Sequence, residues 1–230
     1  MTIMGLQKLT LLDYPGKLAC TVFTGGCNFR CPFCHNASLV IPSKLGAAMP
    51  TDEFFAFLEK RQGILQGVCV SGGEPTLMFD LEEFILRIKT MGYLVKLDTN
   101  GSRPEVLRRL VEGGLVDYVA MDIKNSPDRY PRTVGVAGFD VAPILESAGY
   151  LMSGSVDFEF RTTIVAGHHT EREMRLIGEW LAGAPRYFLQ NFVDSGDLIS
   201  EDVGGLDKNT AESLLKVLKS YVPNAEIRGL

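Results

Sequence analysis

Gly25-Gly26-Cys27-Asn28-Phe29-Arg30-Cys31-Pro32-Phe33-Cys34-His35-Asn36 is the stretch from which the rest of the chain is read. Its three thiols stand at Cys-x3-Cys-x2-Cys spacing, inside eight residues. A cubane iron–sulfur cluster wants one further ligand on each of its irons, so three cysteines in one loop leave one iron open. An open coordination position is where a small molecule binds and reacts, whereas structural metal sites are closed. The competing reading is a zinc knot made by Cys27, Cys31, Cys34 and His35 or another cysteine. Zinc knots are more often built from two separated Cys or His pairs, and the chain has no second pair.

Outward from this loop, short β-rich runs alternate with helical patterns. The expected strands are 19–24, 66–71, 93–98, 117–123, 156–165 and 186–192. The expected helices are 51–61, 80–91, 104–113, 140–149, 170–182 and 207–221. Thr51, Asp80, Thr170 and Asp207 are placed as N-caps, and Thr170-Glu171-Arg172-Glu173 has the form of a capping box. Leu81, Phe84, Ile85 and Ile88 recur at helical spacing. The strand runs are nearly continuous hydrophobics, as in a parallel sheet covered by helices. Six strand–helix units predict a right-handed α/β fold, too few for an eight-stranded barrel and enough for a partial (βα)6 parallel barrel.

The chain reads as one domain over 1–230, with a core from about 13 to 192 and a C-terminal extension over about 193–230. A net charge of −5 argues against a nucleic-acid partner held through its phosphates. No apolar run reaches the length of a membrane span. The first residues lack a basic start, apolar stretch and cleavage site, and five cysteines with three clustered do not resemble a disulfide framework. The expected compartment is a reducing cytoplasm. Cys20 and Cys69 lie in apolar runs and read as core; were either a fourth ligand, the cluster would be closed and the protein an electron carrier. Loops 36–50 and 193–206 are the least patterned and are expected to be mobile or to touch a partner.

Polar signals fall at the carboxyl ends of the strands, where ligands gather in parallel α/β folds. They are Ser71-Gly72-Gly73-Glu74-Pro75-Thr76, Asp98-Thr99-Asn100-Gly101, Met121-Asp122-Ile123-Lys124 and Gln190-Asn191-Phe192. Paired glycines let the backbone approach a ligand or take positive φ. Asp122 and Lys124 share one strand face. Arg161 is an arginine in an apolar strand, so it requires carboxylates for its fork. Asp98, Asp122 or a ligand carboxylate would serve. Asn36 and Asn191 are further polar contacts for a nucleoside. His168 and His169 read as a solvated turn, and Trp180 and Phe188 as core.

The cysteine triplet, with aromatic Phe33 before the third thiol, resembles the signature of the radical S-adenosylmethionine (SAM) superfamily, and Gly72-Gly73-Glu74-Pro75 resembles its Gly-Gly-Glu-Pro motif. The resemblance implies a [4Fe–4S] cluster on Cys27, Cys31 and Cys34, with SAM on the open iron and its amino group held at Gly72, Gly73 and Glu74. Asp98-Thr99 and Asp122-Ile123-Lys124 resemble strand ends of the glycyl-radical-enzyme activases. That implies a monovalent cation at Asp98, Thr99 and Asp122, with Lys124 on SAM; Asn36, Asn100, Arg161 and Asn191 are expected from their chemistry and position as further cofactor contacts.

Asp13-Tyr14-Pro15-Gly16 resembles the Asp-Gly-Pro-Gly turn of that branch, with tyrosine for the first glycine. Within it, the chain most resembles the activating proteins of anaerobic ribonucleoside-triphosphate reductase, although the best-known of these are shorter. The activity so implied is reductive cleavage of SAM, with an electron from flavodoxin or ferredoxin. A 5′-deoxyadenosyl radical then takes hydrogen from a glycine Cα of the partner. A radical SAM enzyme acting on a small molecule, and a non-catalytic iron–sulfur carrier, are the other readings.

Overall fold

A computed structural model describes residues 1–200 and 202–229. All six expected strands form: β2 Ala19–Thr24, β3 Gly67–Gly72, β4 Leu94–Thr99, β5 Tyr118–Asp122, β6 Asp157–Ile164 and β7 Tyr187–Asn191. Two more flank them, β1 Ile3–Thr10 and β8 Ala225–Arg228. The sheet runs β1 to β8 in chain order. β1 is antiparallel to β2 and every later pair is parallel. Among the described residues β1 and β8 do not pair, so the expected partial barrel is present, longer by two strands and open along one side.

The helices are α1 Ala37–Val40, α2 Thr51–Glu59, α3 Leu81–Thr90, α4 Pro104–Glu112, α5 Tyr130–Thr133, α6 Ala142–Met152, α7 Glu171–Trp180 and α8 Lys208–Lys219. Alternation along the strands divides the molecule chemically. One face, with Val68, Val70, Val95, Leu97, Val119, Met121, Phe158 and Phe160, is fully buried in a core shared with Phe84, Ile85 and Ile88 of α3. The opposite face carries Cys69, Lys96, Asp98, Asp122, Glu159 and Arg161, so the barrel interior is polar and charged.

Tyr14 closes the floor of that interior. Its ring packs with Ala19, Cys69 and Tyr118, and a Cβ at Gly67 would come within 2.9 Å of it. The tyrosine in the Asp-Tyr-Pro-Gly turn is therefore a plug, accommodated by a glycine across from it. Cys69 is fully buried there, its thiol donating to the Asp13 carbonyl at 3.2 Å, and Cys20 is fully buried in the outer core.

Thr170 and Asp207 cap as expected: Thr170 and Glu173 form the capping box, and Asp207 accepts from the Thr210 amide at 3.0 Å. Two caps differ. Pro50 holds the N-cap position of α2, one residue before Thr51. Asp80 stands at the N-cap of α3 but accepts from the chain's N-terminal ammonium instead of a helix amide. The two unpatterned loops bind each other and the cysteine loop. Asp197 accepts from the Ser38 amide at 2.9 Å, and the Ser200 amide donates to the Pro32 carbonyl at 3.0 Å. The 193–206 segment is thus a strap across the cysteine loop; its Glu201 lies outside the described residues. Trp180 is half-buried at the margin of the core, whereas Phe188, expected in the core, is half-buried on the inner face of β7 with Arg228 stacked on its ring.

Candidate active site at the strand ends

Cys27, Cys31 and Cys34 occupy the loop after β2, and all three line one cavity of about 250 Å³ at the carboxyl ends of the strands. The loop is pinned from several sides. Arg30 Nη1 donates to the Cys27 and Phe29 carbonyls at 2.6 and 2.7 Å, and the Arg30 amide donates to Val134 O at 2.8 Å. The Phe29 amide points at Cys27 Sγ from 3.4 Å, and Asn100 Nδ2 from 3.8 Å, donors suited to a thiolate. Burial pushes the Cys27 thiol up to about 11 and the Cys31 thiol up to about 12, so these sulfurs ionise when a metal's charge compensates the lost hydration.

Among the described residues no three His, Cys, Asp or Glu side chains converge as they would on a single ion. A zinc knot requires that convergence, and a cubane does not, since each thiol takes a different iron. The donor set, three thiols spread around one cavity, fits a cluster. His35 lines the same cavity, with its ring stacked on Phe192 at 5.0 Å.

Gly72 and Gly73 sit where β3 meets the root of the cysteine loop. Gly72 has φ of +122°, and a Cβ there would lie 2.2 Å from the Thr24 nitrogen. The Gly73 amide donates to Thr24 O at 2.9 Å, and the Glu74 amide donates to Gly26 O at 2.8 Å. The glycines therefore let one strand end lie directly on the other. Glu74 is fully buried, and its carboxylate accepts from the Thr76 amide and hydroxyl, from Thr99 Oγ1 at 2.8 Å and from the Asn100 amide at 2.6 Å. Burial raises its pKa, against which these donors work. The side chain ties the ends of β3 and β4 together, leaving the Gly-Gly backbone to face the cavity.

Beneath the cavity runs a charged strip. Arg161 bridges two aspartates, with Nη1 3.3 Å from Asp98 Oδ2 and Nε 3.0 Å from Asp122 Oδ1. Lys124 Nζ donates to Asp122 Oδ2 at 3.0 Å, and buried Lys96 donates to Asp98 Oδ1. Ser71 Oγ donates to Asp98 Oδ2 at 3.0 Å. Burial would lift both carboxyls, and Arg161 with its neighbouring lysines overcomes it, holding Asp122 down to about 2 and Asp98 below the usual range. Arg161 finds its carboxylates within the chain.

The cavity brings together Asn36, Gly72, Gly73, Glu74, Asp98, Asn100, Asp122, Lys124 and Arg161 with the cysteines. Asn191 stands apart: its amide is paired with the Leu206 backbone at 2.9 and 3.1 Å, and Gln190 lines the cavity instead. Thr99 lines it too, but its hydroxyl is engaged by Glu74 and does not converge with the two aspartates. Strand alternation places it on the other face of β4 from Asp98.

His169 is buried, against the expectation of a solvated turn. Its Nδ1 accepts from the Val165 amide at 3.0 Å and its Nε2 lies 2.9 Å from Lys124 O, holding the end of β5. Lys96 escaped sequence reading because it belongs to no contiguous polar string; the one signal is a lysine two residues before Asp98 in an apolar strand.

A family model described as the radical SAM superfamily matches residues 21–181. A Methanocaldococcus jannaschii protein, provisionally named a glycyl-radical enzyme activating enzyme, is 33% identical over 99% of this chain and 96% of its own length. The pyruvate formate-lyase-activating enzyme of Listeria monocytogenes is 31% identical over 65% of this chain and 62% of its own. Among solved structures, Streptococcus suis SuiB bound to S-adenosylmethionine superposes with a TM-score of 0.70 at 14% identity, over 90% of this chain and 49% of SuiB, a likeness of fold. Among the described residues no helix is long and apolar enough to cross a membrane. The family model takes in the cysteine loop and most of the sheet, the Methanocaldococcus relative aligns from end to end, and the chain belongs to the radical SAM superfamily of enzymes.

Proposed function

We propose that this chain is an activating enzyme that places a glycyl radical on a partner protein, with anaerobic ribonucleoside-triphosphate reductase as that partner. The observation that carries the reading is the open side of the barrel. On the inner face, Gln190, Glu226 and Arg228 are exposed and Phe188 is half-buried, so β7 and β8 offer a wall along which a polypeptide loop reaches the cavity. Glycine suits attack at its Cα because no side chain blocks approach. The names of the relatives in Methanocaldococcus and Listeria support the same class of partner.

Cys27, Cys31 and Cys34 would hold the [4Fe–4S] cluster, the Gly72-Gly73 backbone the SAM amino group, and Lys124 and Arg161 the SAM carboxylate. When bound, cluster and SAM supply reductive C5′–S cleavage, with the electron coming from flavodoxin or ferredoxin in the cytoplasm. The chain's own residues orient the ligand and wall the cavity from water. Asn36 and Gln190, which line the cavity, would contact the nucleoside.

The test is anaerobic reconstitution with iron and sulfide, reduction, and electron paramagnetic resonance with and without SAM. Purified anaerobic ribonucleotide reductase is then added. The expected results are a cluster signal that shifts with SAM, 5′-deoxyadenosine as product, and a glycyl-radical doublet on the reductase. A shifting signal without a doublet removes the reductase as partner. A signal indifferent to SAM removes the activity altogether.

A further inference from the structure

The place where a monovalent cation was expected is filled by the chain's own charges. Asp98 accepts from Lys96 on one oxygen and from Ser71 and Arg161 on the other. Asp122 accepts from Arg161 on one oxygen and from Lys124 on the other. Three cations thus face two carboxylates, leaving one positive charge in excess. The next carboxylate down the interior, Glu159, does not change the count, because Arg228 stands 3.8 Å from it and the Tyr118 hydroxyl donates to it at 2.9 Å.

Sodium or potassium needs several free oxygens to replace its water, and here each aspartate oxygen already accepts from the chain. Thr99 is turned to the other face of β4 from Asp98, where its hydroxyl donates to Glu74 at 2.8 Å and its oxygen accepts from the Gly101 amide at 3.1 Å. An ion approaching this strip would also meet buried like charges that salt screens poorly. Lys96 is only 1% exposed and has no ion-pair partner other than Asp98 among the described residues. A lysine so placed is retained in a core only when paired, and its charge here offsets an aspartate directly below the ligand cavity.

We infer that this site takes the carboxylate of an α-amino-acid ligand on protein cations alone, with Lys96 as the positioning residue that makes a monovalent cation unnecessary. The inference rests on the reading of the cavity as a SAM site. Lys96 acts through Asp98: by neutralising it, the lysine leaves the face of Arg161 and Lys124 positive toward the ligand.

Equilibrium dialysis of SAM against the reconstituted full chain tests this, in potassium, sodium and choline chlorides at equal ionic strength. Wild type is expected to bind with dissociation constants within about twofold of one another. Binding that weakens about tenfold in choline and returns with potassium or sodium overturns the inference and leaves the SAM reading intact. No binding in any salt, with the cluster loaded, overturns both. Lys96→Met keeps the length of the side chain and frees an Asp98 oxygen. Its affinity is expected to fall about tenfold in choline and to recover in part with potassium. A folded, cluster-bearing Lys96→Met protein that binds SAM equally in all three salts removes Lys96 from the role. The wild-type salt series decides the matter of the ion even if the variant does not fold.

Discussion

Gly73 lies so close to Gly26 that a Cβ built on Gly73 would stand 1.9 Å from the Gly26 carbonyl oxygen. The residue after Gly26 is Cys27, in the loop that follows β2, so the contact sets where the cysteine loop begins. Gly73→Ala must push the two strand ends apart. Overpacking against backbone costs about 1–3 kcal/mol, and here the displacement is delivered to a cluster ligand. The variant is expected to fold but to retain less than about half the iron of wild type after reconstitution. Gly149→Ala is the control: nothing lies within 4 Å of its Cβ, and alanine is the better helix former by about 1 kcal/mol. Full iron content in Gly73→Ala would show that the contact does not position the loop.

Cysteine substitutions separate an open cluster from a closed one. Cys27, Cys31 and Cys34 share the cavity, while fully buried Cys69 packs with Tyr14 at the barrel floor and fully buried Cys20 lies in the outer core. Serine at any of the first three is expected to abolish the cluster absorbance. Cys20→Ala and Cys69→Ala are expected to keep it, losing about 1 kcal/mol of stability each to the missing sulfur contacts. Loss of the cluster from either alanine variant would restore the electron-carrier reading.

Much of this site is readable because it is written in contiguous strings. Strand ends in a parallel barrel converge, so Gly72-Gly73-Glu74 and Asp98-Thr99-Asn100 announce a site without any contact being known. What the strings do not carry is direction. Asp98 and Thr99 are neighbours in sequence, yet the pleat turns them to opposite faces, so adjacency in the chain does not bring their side chains together.

β1 was illegible for a different reason. Register shifts between Ile3 and Gly5 and between Gln7 and Thr10 break the alternation by which an edge strand is recognised. β8 spans four residues, too few to show a period. His169 looked solvated because Gly-His-His-Thr has the composition of a turn, and only the fold brings Lys124 O and the Val165 amide to its two nitrogens.

Glu74 is expected to matter for stability before it matters for binding. Its carboxylate accepts four hydrogen bonds while fully buried. Glu74→Gln puts an amide donor where only acceptors are wanted, and a buried donor left facing donors costs about 1–3 kcal/mol. In a chain of this size that is a fall of roughly 3–10 °C in melting temperature. Thermal denaturation of the apoprotein measures it, free of any contribution from cluster or SAM. An unchanged melting temperature would mean that the ends of β3 and β4 are held by something other than this side chain.

The pH dependence of stability should carry the mark of His169. Burial, first, and to a lesser extent the neighbouring His168 leave its imidazole neutral, with the pKa lowered to about 4 from an ordinary 6.5. The neutral tautomer is set by its contacts: Nδ1 accepts from the Val165 amide, so Nε2 carries the hydrogen and donates to Lys124 O. Between about pH 4 and 6.5 the unfolded chain binds a proton here and the folded chain does not, so stability rises with pH. The contribution is complete above pH 6.5 and is lost as pH falls toward 4, to a depth of about 3 kcal/mol. Asp122, held at about 2, loses its own contribution only below about pH 4, so the two windows do not overlap. His35 and His168 are lowered as well and Glu74 is raised, so it is the comparison of wild type with a His169 variant, by urea unfolding of the apoprotein at pH 7 and pH 5, that isolates this histidine. Between them wild type should lose about 2 kcal/mol more than His169→Gln, whose amide still donates to Lys124 O but takes up no proton. Equal losses in the two proteins would place the acid-sensitive group elsewhere.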